Sequence, residues 1–375
     1  MDYSGLSSCY QAQFEVNTTG NYGGLMKLVR QHTLNVAWIE EIIADASKAK
    51  YPGVAHFVTK KDAWESEIRH TIDSKLHTIR QIQYQHTQER NLPALAAAYL
   101  EEGNIMVLQG EFRAAHQCYQ QGRGTHSSMD YEGLIGISGA DMLQRHWSIV
   151  QTSLMKVLKL DNEPSRFVLQ SYGLASWCLG DYGDCTSSFL QLEDLGGIPW
   201  ISEETAAAIL MISVLLSMSR EDMRFFLRSD KVTVPLFKKY PAFYEFVSAY
   251  YFLDIAKVWS LLPALTDVIC EDYFAHGRLE ASVSRLREQL HQHYLAVRRL
   301  TPLTSTLELF SLLKTCTVFD LADDAKRWGM AIEVDTVADT IEVKTEAPRL
   351  EMLERTAALS RKFIYDGTIL VWSRY

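Results

Sequence analysis

The sequence predicts a mainly α-helical protein, on three observations. Gly (20) and Pro (9) make up about 8% of the 375 residues, against about 12% in average usage, so turns are scarce and elements long. No proline falls between Pro52 and Pro93 or between Pro93 and Pro164, which leaves room for extended helices. Several segments repeat apolar residues three and four apart, the period of one helical face. Sandwiches, barrels and propellers need a turn about every ten residues and are disfavoured. At about 150 residues per domain, the length corresponds to two or three domains.

Residues 1–61 are loosely patterned, with a short helix through Trp38–Ala46 that Tyr51-Pro52-Gly53 breaks. From Asp62 to about Asn91 the pattern sharpens. Ile68, Ile72, Leu76, Ile79 and Ile82 form one apolar stripe, with Asp62 as N-cap and Glu65 as its capping-box partner.

The next signal is a 35-residue beat. GNIMVLQGEFRAAHQCY places Gly103, Gly110, Phe112, Ala115 and Tyr119, and seventy residues on GLASWCLGDYGDCTSSF places Gly173, Gly180, Tyr182, Cys185 and Phe189 at the same offsets. Halfway between, these offsets hold Ser138, Arg145, Trp147, Val150 and Leu154. Each unit reads as two antiparallel helices. The first small residue permits close approach, the second position is the turn, and the rest face the core. The pattern resembles the tetratricopeptide repeat. One period further, Ala208, Leu215, Ser217, Arg220 and Arg224 break it. The apolar run Ala206–Met218 spans about 13 residues, too short for a bilayer, and reads as a core helix.

Pro235, Pro241 and Pro263 are expected to mark helix boundaries. Phe243, Phe246, Val247 and Tyr250 form an aromatic stripe on one helix, and Val283, Leu286, Leu290 and Tyr294 line another over Leu279–Tyr294. From Thr301 a short helix (Ser305–Lys314, apolar at Leu309, Leu312 and Leu313) and a second (Val318–Trp328, ended by Gly329) precede two alternating runs. Met330–Asp335 and Thr340–Lys344 predict a β-hairpin with Met330, Ile332, Val334, Ile341 and Val343 on the covered face. Helix, helix, hairpin is a winged-helix order. After Pro348 a last helix carries Leu350, Leu353, Ala357 and Phe363.

Charge argues against nucleic acid. The chain carries a net charge of -9. Asp320, Asp323 and Asp324 outweigh Lys326 and Arg327 on the second helix, and five acids outweigh Lys344 over 329–346. Such a face repels phosphates. It leaves protein docking as the role of the hairpin edge, through Met330, Ile332, Val334, Ile341 and Val343. The six cysteines form no C-x-x-C pair and read as reduced, buried thiols. The first residues lack the basic start and apolar run of a signal peptide. A location in cytoplasm or nucleus, with no membrane contact, is the expectation.

No nucleotide, dinucleotide, zinc-protease or serine-hydrolase motif occurs. Gly122-Arg123-Gly124 is an isolated helix-end group. His291-x-His293 begins a zinc isopeptidase motif, but Thr301 and Thr304 stand where its serine and aspartate belong. These histidines read as partly exposed polar residues. No catalytic, cofactor or metal site is expected.

Taken together, the order of helical repeats, winged helix and terminal helix resembles the PCI-domain family. Its members are scaffold subunits of the proteasome lid, the COP-nine signalosome and translation initiation factor three. The carrying segments are YLEEGNIMVLQGEFRAAHQCY, the Trp147-x-x-Val150 unit, YGLASWCLGDYGDCTSSFL, KKYPAFYEFVSAYYFLDIAKVWSLL, HQHYLAVRRLTPLTSTLELFSLLK and TVFDLADDAKRWGMAIEVDTVADTIEV, over about 62–345. The segment Gly329–Asp335 looks one residue shorter than the family pattern. Tyr22-Gly23-Gly24-Leu25 with Lys27 and Arg30 is similar to the opening of a signalosome subunit. The resemblance implies four segments: an N-terminal part (1–61), a repeat arm (62–230), a PCI domain (231–345, winged helix from about 301) and a C-terminal helix (346–375). It implies a non-catalytic signalosome scaffold that supports cullin deneddylation. Its partners would be other PCI subunits, the metalloprotease subunit and cullin–RING ligases, with Leu350, Leu353, Ala357 and Phe363 in a shared helical bundle. A proteasome-lid subunit is the alternative within the family, and a winged-helix nucleic-acid regulator the alternative outside it.

Overall fold

The computed structural model describes residues 3–160, 163–192, 194–196, 199–228, 233–297, 300–311 and 317–344. Among these residues the chain is mainly helical, with eighteen α-helices and three short strands. It divides into two compact units, Met1–Ser248 with Leu261–Val283, and Ala249–Ser260 with Ser284–Tyr375.

The first unit opens with α1 (Ser4–Thr19), α2 (Tyr22–His32), α3 (Val36–Lys48) and α4 (Val54–Glu89). Asparagines start two of them. Asn21 Oδ1 accepts from Gly24 N at 2.9 Å and Asn35 Oδ1 from Trp38 N at 3.0 Å, satisfying first-turn amides that have no helical partner. Cys9, Leu25, Val29, Trp38, Ile42, Phe57, Trp64 and Ile68 form one core across these helices. The loosely patterned segment is therefore packed; each short helix contributes only a few core positions, which weakens any periodicity.

Asp62 is not the N-cap that its spacing to Glu65 predicts. The helix begins eight residues earlier, after Gly53, and Asp62 is exposed in its interior. No glycine or proline interrupts 54–62, and buried Phe57 and Trp64 extend the Ile68 stripe backwards. Glu65 pairs with Arg69 one turn on instead.

Next come α5 (Leu92–Gln109), α6 (Phe112–Thr125), α7 (Asp130–Leu143), α8 (Trp147–Leu160), α9 (Arg166–Leu179), α10 (Tyr182–Leu190) and α11 (Glu203–Ser217), each packed on the next. The turns after α5, α7 and α9 share one geometry. Gly110 (φ 80), Arg145 (φ 60) and Gly180 (φ 86) are left-handed. Their amides donate to Val107 O, Met142 O and Trp177 O at 3.0 Å, and each following amide donates five residues back, to Met106 O, Asp141 O and Ser176 O. These bonds satisfy the last helical carbonyls. At 215 no such turn occurs; α11 runs on to Ser217 and Met218 is extended (φ -85, ψ 144). Twelve consecutive residues of α11, Thr205–Leu216, are buried, as expected of a helix apolar on all sides. No helix among the described residues is long and apolar enough to cross a membrane.

Helix α1 ties distant parts of this unit together. Tyr3 OH donates to Gly136 O (3.3 Å), Gln11 Nε2 donates to Glu271 O (2.7 Å), and Gln11 Oε1 accepts from Tyr273 N (2.9 Å). The 271–278 segment is held from the other side too, by Trp177 Nε1 donating to Ala275 O at 3.1 Å and by the Arg145 guanidinium over the Tyr273 ring at 5.2 Å.

Then follow α12 (Arg220–Phe226), α13 (Thr233–Lys239), α14 (Pro241–Phe252), α15 (Ile255–Cys270) and α16 (Leu279–Val297). Phe243, Phe246, Val247 and Tyr250 are buried, as are Leu286, Leu290 and Tyr294, while Val283 is half-buried. Pro235 and Pro241 sit in first turns, where a missing amide costs nothing. Pro263 does not mark a boundary. It lies inside α15, where packing of Leu262, Leu265 and Ile269 offsets the lost backbone bond.

Among the described residues the second unit continues with β1 (Leu300–Pro302), α17 (Leu303–Ser311), α18 (Val318–Arg327), β2 (Ala331–Asp335) and β3 (Thr340–Lys344). The hairpin runs pair as expected, with Ile332 opposite Val343 and Val334 opposite Ile341. An unexpected third strand, β1, pairs antiparallel with β3, so the order is β1-β3-β2 and β3 is central. The first of the two helices begins at Leu303, earlier than the expected Ser305. The C-terminal helix expected over 346–375, with Leu350, Leu353, Ala357 and Phe363, lies outside the described residues.

Candidate interaction surface

The small sheet and its two helices form the candidate surface. Thr317 Oγ1 accepts from Asp320 N at 3.2 Å, and Asp320 Oδ2 accepts from Thr317 N at 2.8 Å. This reciprocal capping box starts α18. Leu321 and Ala325 are its buried face. Gly329 (φ 71) ends the helix, and Met330 N donates to Ala325 O at 2.8 Å, which turns the chain into β2.

The structure separates the five hairpin residues singled out in the sequence. Ile341 and Val343 on central β3 are buried; Met330, Ile332 and Val334 are half-buried. One edge of β2 carries β3, and no other strand among the described residues pairs with it. Ala331, Glu333 and Asp335 alternate on its exposed side. Beyond β2, Asp335 Oδ1 accepts from Val337 N and Ala338 N, both at 2.9 Å. This turn leaves Val337 96% exposed, and Phe319 on α18 is 82% exposed. The alternation of the sequence pointed to β2. Nothing in it pointed to Phe319, because one aromatic on an otherwise charged helix face carries no periodic signal.

Of the histidine pair, His293 is partly exposed as expected and His291 is not. His291 is buried (6%), and burial, aided by the nearby Arg287 charge, pushes its pKa down to about 4. It is a neutral imidazole, 6.4 Å from the Trp328 ring, and His293 is half-buried with its ring 6.2 Å from Tyr250. The sequence reading missed this because residue 291 flanks the Leu290–Tyr294 stripe instead of lying on it. Thr301 is buried in β1. Among the described residues no group of three or more His, Cys, Asp or Glu is placed to hold a metal ion. Gly122 packs against Leu100 and Ala96 of α5, and Arg123 Nε pairs with Asp130 at 3.0 Å. Both are occupied in helix packing. Cys9, Cys118 and Cys185 are buried thiols, but Cys178 is half-buried and Cys270 exposed.

The chain matches no known family, and no curated protein matches it.

Proposed function

We propose that the chain is a scaffold subunit of the PCI class, a helical-repeat arm followed by a winged-helix docking module. Within that class we assign it to the COP-nine signalosome, in the position of subunit one, where it supports cullin deneddylation carried out by another subunit. The observation that carries this reading is the acidic three-stranded module whose outer strand, β2, pairs with β3 on one edge and with no strand on the other among the described residues. An edge of this kind pairs with another strand through main-chain hydrogen bonds. The arm reading is supported by the shared turn geometry at Gly110, Arg145 and Gly180. The acidic charge around Asp320, Asp323, Asp324 and Glu333 favours a protein partner over DNA.

Purification of the tagged chain from its own cells, with native mass spectrometry, tests the assignment. Signalosome subunits, and accumulation of neddylated cullins on depletion, are expected. Proteasome base subunits would move the chain to the lid. Recovery without either set would overturn the reading.

A further inference from the structure

The α2 segment has a feature that this role does not use. Residues 22–32 contain Lys27, Arg30 and His32 and no carboxylate, in a chain of net charge -9. Gly23, Met26, Lys27 and Arg30, at three- and four-residue spacings, line one wall of a hollow of about 380 Å³, and His56, Phe57 and Trp64 of α4 line the other. Its floor is apolar: Met26, Phe57 and Trp64 are each more than nine-tenths buried. Its rim is cationic: Lys27 and Arg30 are exposed. No carboxylate lines it.

Arg30 is already positioned. Its guanidinium lies 4.0 Å from the Trp64 ring centroid, a cation–π contact that orients the planar donor fork. Its ion pair with Glu67 is long, 3.8 Å, and solvated on both sides, so it exchanges readily for an incoming carboxylate. Gly23, in the first turn of α2, lines the same hollow, so the positive end of the helix dipole lies beside it.

We propose that this hollow docks an acidic peptide segment with an apolar anchor. The anchor side chain rests on Met26, Phe57 and Trp64, and flanking carboxylates meet Lys27 and Arg30, the latter in a two-pronged contact. The apolar part of the lining, Met26, Phe57 and Trp64, favours such a peptide over a bare phosphate, which makes no use of it. The proposal does not depend on which assembly the chain joins.

Fluorescence anisotropy of a labelled Asp-Glu-Leu-Phe-Glu-Asp peptide, titrated with the full chain, tests it. Saturable binding that weakens with salt is expected. Lys27→Glu with Arg30→Glu should weaken it about tenfold or more, with an unchanged circular dichroism spectrum because both residues are exposed. Replacing Leu-Phe in the peptide by Ser-Ser should weaken it comparably, with the protein untouched. Equal affinity for the double variant, no saturable binding, or equal affinity for the Ser-Ser peptide would overturn the proposal. Displacement by inorganic tripolyphosphate at lower concentration than by unlabelled peptide would also overturn it, assigning the hollow to a phosphate ligand.

Discussion

The ring of Tyr119 fits against the backbone of Gly103, where a Cβ would stand 2.7 Å from the ring. Gly136 of α7 receives the same ring from its own helix, at 2.6 Å. Phe189 lies against Gly173 in the corresponding way, but less tightly, at 3.2 Å. Tyr119 is 1% exposed and cannot move aside. Gly103→Ala should therefore destabilise the protein by about 1–3 kcal/mol despite its better helix propensity. Gly173→Ala should be close to neutral. Urea unfolding of both variants decides this, and equal losses would contradict it.

The left-handed turns predict a second contrast. Gly110→Ala and Gly180→Ala force a side chain into a conformation that costs about 1–2 kcal/mol, and each new Cβ meets a neighbour, Asn35 or Arg278. Arg145 already bears that cost at φ 60. Arg145→Gly relieves it but loses the contact over Tyr273, worth about 0.5–1 kcal/mol. Thermal unfolding should show two clear losses and one change near zero.

Asp141, almost wholly buried, pairs with His116 Nε2 at 3.0 Å and His146 Nδ1 at 3.2 Å. The hydrogen bond to Asp141 raises the His116 pKa above its ordinary value of 6.5, against the opposing effect of burial. A raised folded pKa gives stability that is complete below the unfolded pKa and lost as pH rises through the folded one. The wild-type chain should lose stability relative to His116→Gln as the pH rises above 6.5. A constant difference over that range would refute the pairing as a charged one.

Asp272 behaves oppositely to a salt-bridged acid. Burial lifts its pKa to about 6, although its carboxylate accepts from Phe274 N at 2.9 Å and Ala275 N at 3.0 Å. Stability from this group is complete below its unfolded value of 3.8 and falls as pH rises through about 6. Asp272→Asn keeps an acceptor and removes the charge. It should stabilise the protein by about 1–3 kcal/mol at pH 8 and by nothing at pH 4, as read by chemical unfolding at the two pH values.

The acidic module offers a test that separates packing from docking. Val343→Asp places a charge in the covered face of β3 and should cost about 3 kcal/mol or more, melting the module. Phe319→Ser and Ile332→Asp change an exposed and a half-buried side chain. Phe319→Ser should alter stability by no more than about 0.5 kcal/mol. Both should reduce recovery of the assembly. Co-purification and hydrogen exchange on the same variants give both readouts, and a full complex carrying Phe319→Ser and Ile332→Asp would remove this face from the interface.

Long periodic features were legible in the sequence, and local exceptions were not. The stripe from Ile68 to Ile82 and the turn positions 110, 145 and 180 follow from spacing alone, even with an arginine in the middle turn. The start of α4 was not legible because Asp62 and Glu65 imitate a cap within a helix that never stops. Pro263 misled because packing on neighbouring positions outweighs one lost backbone bond. β1 escaped notice because three residues ending in a proline carry no alternation, and its pairing is set by β3, about forty residues away. His291 and Phe319 are inverse cases: a polar residue enclosed and an aromatic one exposed, each by the placement of its helix.

Helix α1 changes how the stack of helices in the first unit should behave in time. An open array of hairpins opens one unit at a time from either end, because each touches only its neighbours. Here Tyr3 reaches Gly136 and Gln11 reaches the backbone at Glu271 and Tyr273, so the first helix cannot leave without releasing contacts far along the chain. Loops of more than a hundred residues must close before those bonds form. The first unit should therefore be a late-closing, cooperative body: slow to complete, and resistant to fraying once complete.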